Sequence, residues 1–208
     1  ALVTFQATFE RARAAGRPWA PYAVDGRVMA AQVAYVLGDW ATAERLAGTE
    51  GEAPSEFAAA YLTATGLLVA AGRGATEALT VVETLRPWWA HEGLIAISTA
   101  AAAIDLHGDR GDIRAALAEH DAAVTAVSEL WSGPDFHARV RLSALLLGQL
   151  ATAAGRAGTA ERAELVARGE DLVEVVRRID SSGGGTRRGF GTEGRAWVAR
   201  AEAEWLRL

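Results

Sequence analysis

Apolar positions recur at spacings of three and four along nearly the whole chain, and strand-like alternation is almost absent. Leu2, Phe5, Phe9 and Ala12 form the first stripe, which Gly16 closes. Pro18 and Pro21 open a second helix carrying Val24, Val28, Ala31, Tyr35 and Val36, and Gly38 ends it. A short helix from Trp40 through Leu46 follows. Gly48, Gly51 and Pro54 then predict a loop, with Ser55 placed to cap the next helix. That helix carries Phe57, Tyr61, Thr65, Leu68 and Val69 to Gly72; the stripe Leu79, Val82 and Leu85 marks another. Pro87 is expected to open a helix holding Trp88, Ile95, Ala102 and Leu106, ended by Gly108.

The second half predicts longer helices. Ile113, Leu117, Val124, Val127 and Leu130 lie on one, and Phe136, Val140, Leu146, Leu147 and Leu150 on the next. Leu165, Gly169, Leu172, Val176 and Ile179 form a clean stripe opposite the charged positions Arg168, Glu170, Asp171, Glu174 and Arg178. A break is expected over about 181–191. A closing helix over 192–208 then carries Trp197, Ala201, Trp205 and Leu208, a stripe expected to be buried, with Arg200 and Glu204 facing solvent. The pattern predicts one all-α domain over 1–208, with about ten helices and no strand.

The turns add an architecture. Gly38-Asp39-Trp40-Ala41-Thr42-Ala43 has the Gly-Asp-aromatic-x-x-Ala form of a tetratricopeptide-like helical pair, and Gly111-Asp112-Ile113-Arg114-Ala115-Ala116 repeats it. Degenerate copies stand at Gly72 to Gly74 and Gly155 to Gly158. From Gly38 to Gly72 is 34 residues, and from Gly72 to Gly108 is 36, close to the tetratricopeptide period of about 34. Glycine permits the chain to reverse, Asp caps the following helix, and Ala lets paired helices approach. The expected fold is therefore antiparallel helix pairs stacked into a tetratricopeptide-like α-α superhelix. A plain antiparallel bundle is the alternative.

Composition narrows the chemistry. All 21 basic residues are Arg, and the chain has no Lys, Asn or Cys. There is accordingly no Walker A lysine, no Schiff-base lysine and no thiolate ligand or nucleophile. The net charge of −5 and the lack of a basic cluster argue against direct nucleic-acid binding. No apolar run reaches the ~18–20 residues that span a bilayer. Neither end of the sequence reads as a natural terminus, so a fragment of a longer, cytoplasmic protein is expected.

Candidate motifs are few. Gly189-Phe190-Gly191-Thr192-Glu193-Gly194 matches G-x-G-x-x-G but follows a helix and a Gly/Ser run where a dinucleotide site needs a strand. A loop into the last helix is the plainer reading, with Thr192 and Glu193 in its cap region. His91-Glu92 lacks the second histidine of a zincin, since Ile95 stands where it would be. His107, His120 and His137 lie near Asp105, Asp109, Asp121 and Asp135 without metal-ligand spacing. No catalytic, cofactor-binding or metal-binding residue is nominated. Among the seven Trp, Trp40, Trp131, Trp197 and Trp205 are expected in the core. Trp88 and Trp89 point about 100° apart on a helix and cannot both face one core. One of Trp88 and Trp89 is a candidate to line a groove for a partner or effector, with Arg86 and His91 beside them as polar contacts; burial of both rings between two flanking helices is the alternative.

The last third carries a resemblance. Arg141-Leu142 through Leu150-Ala151, Leu165 to Ile179, and Gly191-Thr192-Glu193-Gly194-Arg195-Ala196-Trp197 with Ala199-Arg200-Ala201-Glu202-Ala203-Glu204-Trp205 resemble the helical-repeat region of large ATP-binding LuxR-type transcriptional regulators of actinobacterial type. The absence of Lys and Asn fits a high-GC genome. The resemblance implies an ATPase upstream and a LuxR-type helix-turn-helix downstream, neither of them in this chain. It implies a non-catalytic regulatory module that receives a protein partner, a small effector or its neighbouring domains, or that forms a homodimer. Two other functions stay open: a free-standing helical-repeat scaffold, and a helical enzyme with a site assembled from scattered His, Asp and Arg.

Overall fold

The computed structural model describes residues 1–182 and 190–208. The described residues form ten α-helices and no strand: α1 (Leu2–Ala14), α2 (Pro21–Val36), α3 (Trp40–Ala47), α4 (Glu56–Gly72), α5 (Leu79–Leu85), α6 (Gly93–Asp109), α7 (Ile113–Leu130), α8 (His137–Ala154), α9 (Thr159–Ser181) and α10 (Thr192–Arg207). The fold is all-α. The chain divides into two compact units, Ala1–Trp88 and Trp89–Leu208.

In the first unit α2 is the central helix, packed on α1, α3 and α4. Pro21 starts it at a position where its missing N–H costs nothing. It is buried on nearly every side, through Ala23, Val24, Val28, Ala30, Ala31 and Ala34, which explains why its apolar stripe is broad. The small side chains let neighbouring helices come close. Ser55 caps α4 as its position predicts, its hydroxyl accepting from the Ala58 N–H.

In the second unit α8 is central and touches α6, α7, α9 and α10. Leu142, Leu146, Leu147 and Leu150 are completely buried along it. Each such leucine contributes about 1.5–3 kcal/mol relative to exposure. Leu165 to Ile179 lies within a 23-residue helix that begins earlier, at Thr159, and the predicted stripe is its buried face.

One turn recurs with the same geometry. Gly38 and Gly111 have φ of +78° and +77°, in the left-handed region that favours glycine. The next residue's N–H reaches back five residues, from Asp39 to the Ala34 carbonyl and from Asp112 to the His107 carbonyl, each at 2.9 Å. Asp39 then caps α3 at the Thr42 N–H, and Asp112 caps α7 at the Ala115 N–H. Ala43 and Ala116 are buried, as close helix pairing requires.

Several local expectations are corrected. The second turn pivots on Gly74 (φ +69°), with Ala75 N–H on the Ala70 carbonyl, while Gly72 remains in α4. At Gly72 the reason for glycine is proximity: a Cβ there would meet the Trp40 ring at 2.8 Å. Gly155 has φ −64°, so the end of α8 does not repeat the turn. Pro87 does not open α6. It lies in a 3-10 segment, Arg86–Ala90, and α6 starts at Gly93 because Glu92 is extended and its side chain accepts from the Leu94 N–H. Thr192 is inside α10, whose N-cap is Gly191 and carries no side-chain cap.

The tryptophans and the closing helix also depart from expectation. Trp131 is 47% exposed, lying at the end of α7 with its edge toward Phe136. Trp40, Trp197 and Trp205 are half-buried, with Trp40 stacked on Tyr35. In α10 only Ala201 is fully buried, and the helix packs chiefly on α8, less on α9. Glu204 is half-buried and held by Arg207 at 2.8 Å, whereas Arg200 is exposed. Of the expected break over 181–191, Ser181 closes α9 and Phe190 is buried; 183–189 lie outside the described residues. Gly189 is among these, and the rest of the G-x-G-x-x-G leads into α10.

Candidate functional site

The four residues singled out from the sequence fall on both units. Arg86 and Trp88 belong to the first, Trp89 and His91 to the second. Arg86 is half-buried and pairs with Glu83 at 3.2 Å. Trp88 is half-buried, with Phe57 edge-on at 6.0 Å between centroids. Trp89 is buried at 4% exposure, and His91 is exposed. Trp89 is thus interior and Trp88 partly open, on a 3-10 segment and not on the α-helix expected there.

The chemistry of the second unit gathers on α7, α8 and α9. His120 is 1% exposed, and its Nδ1 lies 2.9 Å from Asp121 Oδ1. Arg168 of α9 pairs with the same Asp121 oxygen. Arg178 binds both carboxylate oxygens of Asp135, at 3.0 and 3.2 Å, and Arg139 donates to the Pro134 carbonyl. Burial pushes the His120 imidazole below its ordinary range, against the opposing pull of Asp121. The hydrogen bond from His120, with Arg168 beside it, holds Asp121 below the usual carboxylate range. Asp121 is thus an ionised acceptor, which makes Nδ1 the protonated nitrogen of a neutral ring. His120 Nε2 is buried with no hydrogen-bond partner, as is Ser143 Oγ. A carboxylate orienting an imidazole is one half of an acid-base dyad; no serine or threonine hydroxyl among the described residues is hydrogen-bonded to that imidazole.

Several clefts open on this unit. One, of about 870 Å³, runs between the N-terminal parts of α7 and α9. A second, about 430 Å³, lies beside His120, Asp121, Arg139 and Arg168. Another, about 300 Å³, is bounded by α6, α8 and α10. Near it, Gln149 donates to Asp105 at 3.3 Å, and burial pushes the Asp105 carboxyl above its ordinary range while that hydrogen bond opposes the shift. Arg207 spans from α10 to the Gly148 carbonyl at 2.8 Å. Trp197 carries the guanidinium groups of Arg141 and Arg200 at 5.3 and 5.2 Å from its ring centroid.

The sequence places His120 beside Asp121 but gives no sign of their convergence with Arg139 and Arg168, which stand on other helices. The offset of 47 residues between Asp121 and Arg168 has no local signature. Among the described residues no group of three or more His, Asp or Glu side chains is placed to hold a metal ion, and no helix is long and apolar enough to cross a membrane. No known family profile, no curated protein and no solved structure matches this chain.

Proposed function

We propose that this chain is the non-catalytic helical-repeat interaction module of a LuxR-type transcriptional regulator, working in the cytoplasm between an upstream ATPase and a downstream helix-turn-helix domain. Its helix pairs stack as a tetratricopeptide-like superhelix, and it takes a protein partner, an effector or its own neighbouring domains.

The observation that supports this reading is the repeated turn. Left-handed glycines at Gly38, Gly74 and Gly111 are 36 and 37 residues apart and close three helices in the same way. A period near 34–37 that joins one helix pair to the next is what a helical-repeat array needs, because a single pair cannot bury its own apolar face. The LuxR part of the reading comes from the resemblance of the last third.

The complete reading frame of the gene tests it. A P-loop sequence upstream and a helix-turn-helix downstream are the expected result. A frame with neither leaves a free-standing scaffold and discards the regulator.

A further inference from the structure

The charges gathered on α7, α8 and α9 do not balance around Arg139. Its side chain is 15% exposed. Its Nη1 donates to the Pro134 carbonyl at 2.8 Å, and its Nε is buried with no hydrogen-bond partner. Among the described residues one carboxylate comes within 4.0 Å of it, that of Asp135, at 3.8 Å from Nη1. That is too far for a hydrogen bond, and Arg178 already holds both Asp135 oxygens. Asp121 is likewise taken, by His120 and Arg168. Three guanidinium groups thus share two carboxylates, and Arg139 is the one left without its own. Burial pulls its guanidinium below the ordinary arginine range; Asp135 and Asp121 oppose that shift, and Arg178 and Arg168 add to it. The group stays charged all the same, and a largely buried cation short of a counter-ion is costly.

Arg139 and Arg168 both line the cleft of about 430 Å³, a volume suited to a small molecule. Its apolar lining is the half-buried Val124 and Val175 with the buried Leu172. His120 also lines it, as a neutral ring that brings no charge. Asp171 lines it too, but is exposed and is not among the groups that act on Arg139.

We infer that this cleft binds a small aliphatic monocarboxylate, its carboxylate on Arg139 and Arg168 and its hydrocarbon body against Val124, Leu172 and Val175. A carboxylate matches the planar fork of a guanidinium, which can donate two parallel hydrogen bonds to it. One negative charge also brings carboxylates and guanidinium groups level. A dianion such as phosphate overshoots, with Asp121 and Asp171 in the same lining, and has no body for the valines. This inference rests on the reading of the chain as a module that takes an effector, and it adds the effector's chemistry and its site.

The test titrates hexanoate, hexanamide and inorganic phosphate into the 208-residue protein by isothermal titration calorimetry. Hexanoate should bind at one site per chain with a Kd below about 1 mM, and the amide and phosphate at least about tenfold more weakly. Arg139→Lys keeps the charge but loses the fork, and should weaken hexanoate about tenfold. Val175→Trp fills the apolar end of the cleft without removing a charged group, and should abolish binding. Circular dichroism and the unfolding midpoint check that each variant is folded; if Arg139→Lys is not, Val175→Trp decides. No binding of hexanoate, equal binding of the amide, or tighter binding of phosphate would overturn the inference. So would hexanoate binding that Val175→Trp leaves unchanged, because the acid would then sit elsewhere. Failed binding alongside ATPase and helix-turn-helix sequences in the gene discards the site and leaves the module reading standing. Binding as expected in a gene with neither keeps the site and discards the regulator.

Discussion

Two buried polar side chains, one in each unit, are handled in opposite ways. Arg27 of α2 is 3% exposed, yet each of its three guanidinium nitrogens is engaged. Nε donates to the Leu46 carbonyl at 2.7 Å, Nη1 pairs with Glu52 at 2.6 Å, and Nη2 donates to the Gly48 carbonyl. Phe9 and Trp19 lie against its flat faces, 5.0 and 5.3 Å from their centroids. His120 of α7 is as deeply buried but uses one ring nitrogen only. A planar fork suits two diverging carbonyls and a carboxylate at once, so Arg27 ties α2 to the end of α3 and the loop beyond. An imidazole with one unmet nitrogen fixes nothing comparable, and it retains a proton equilibrium. The first is a structural clamp. The second is the more sensitive to conditions.

The sharpest way to break this comparison is to remove the clamp. Arg27→Met keeps the bulk but leaves two carbonyls and Glu52 without their donor, and should cost about 3–5 kcal/mol in urea unfolding. Arg27→Lys should recover only part, since a point charge cannot serve three acceptors in one plane. If both variants unfold at the wild-type midpoint, Arg27 is not a clamp and the contrast with His120 falls.

Next in size is overpacking at the repeated turn. Ala43 is 2% and Ala116 0% exposed. Ala43→Leu and Ala116→Leu should each cost about 1–3 kcal/mol, with similar losses in the two units. Wild-type melting temperatures would mean that neither alanine is at a helix contact. Smaller again is the cap: Asp112→Ala removes an acceptor from the Ala115 N–H and should cost about 0.5–2 kcal/mol, whereas Asp112→Asn should cost much less. An equal loss in both would assign the effect to charge and not to capping.

The same residues show how much of the molecule is legible in its chain. Caps and reversing glycines are local, so Asp39, Ser55 and Asp112 can be read as helix starts from the amino-acid order alone. Pro87 misleads because proline suits a 3-10 turn as well as a first helical turn, and Glu92, six residues after Arg86, is what starts α6. The α10 stripe misleads in another way: periodicity identifies the inward face but not how much neighbouring surface is there to cover it. Arg27 leaves no local sign of its role. Its acceptors lie 19 to 25 residues away, and an arginine on a helix otherwise buried all round looks like an ordinary polar break in the stripe. The candidate site is partly legible, in that His120 and Asp121 are adjacent in the sequence, but Arg139 and Arg168 reach them only through tertiary packing.

The smallest effect at neutral pH, and the one that tests His120 most directly, is a slope. Its folded-state pKa lies below the unfolded value of about 6.5, because burial disfavours the imidazolium more than Asp121 favours it. Between those two values the unfolded chain binds more protons than the folded one, so stability falls as pH drops through this window. The loss begins near pH 6.5 and levels off below the folded pKa. Asp121, Arg139 and Arg168 are the charged groups that act on the ring, and Asp121 titrates in the folded state only in stronger acid. Asp105 works in the opposite sense, since its folded carboxyl is pushed up and gains stability as it protonates. A pH profile of the wild type alone would therefore mix the two. Urea unfolding of wild type and His120→Gln at several values between pH 5 and 7.5 separates them, because Asp105 is common to both. The difference in unfolding free energy should be constant above about pH 7 and should shrink, to the disadvantage of the wild type, as the solution is acidified. A difference that stays flat over that range would mean that His120 is no more sensitive to protons when folded than when unfolded, and that its buried ring is as settled a part of the core as Arg27.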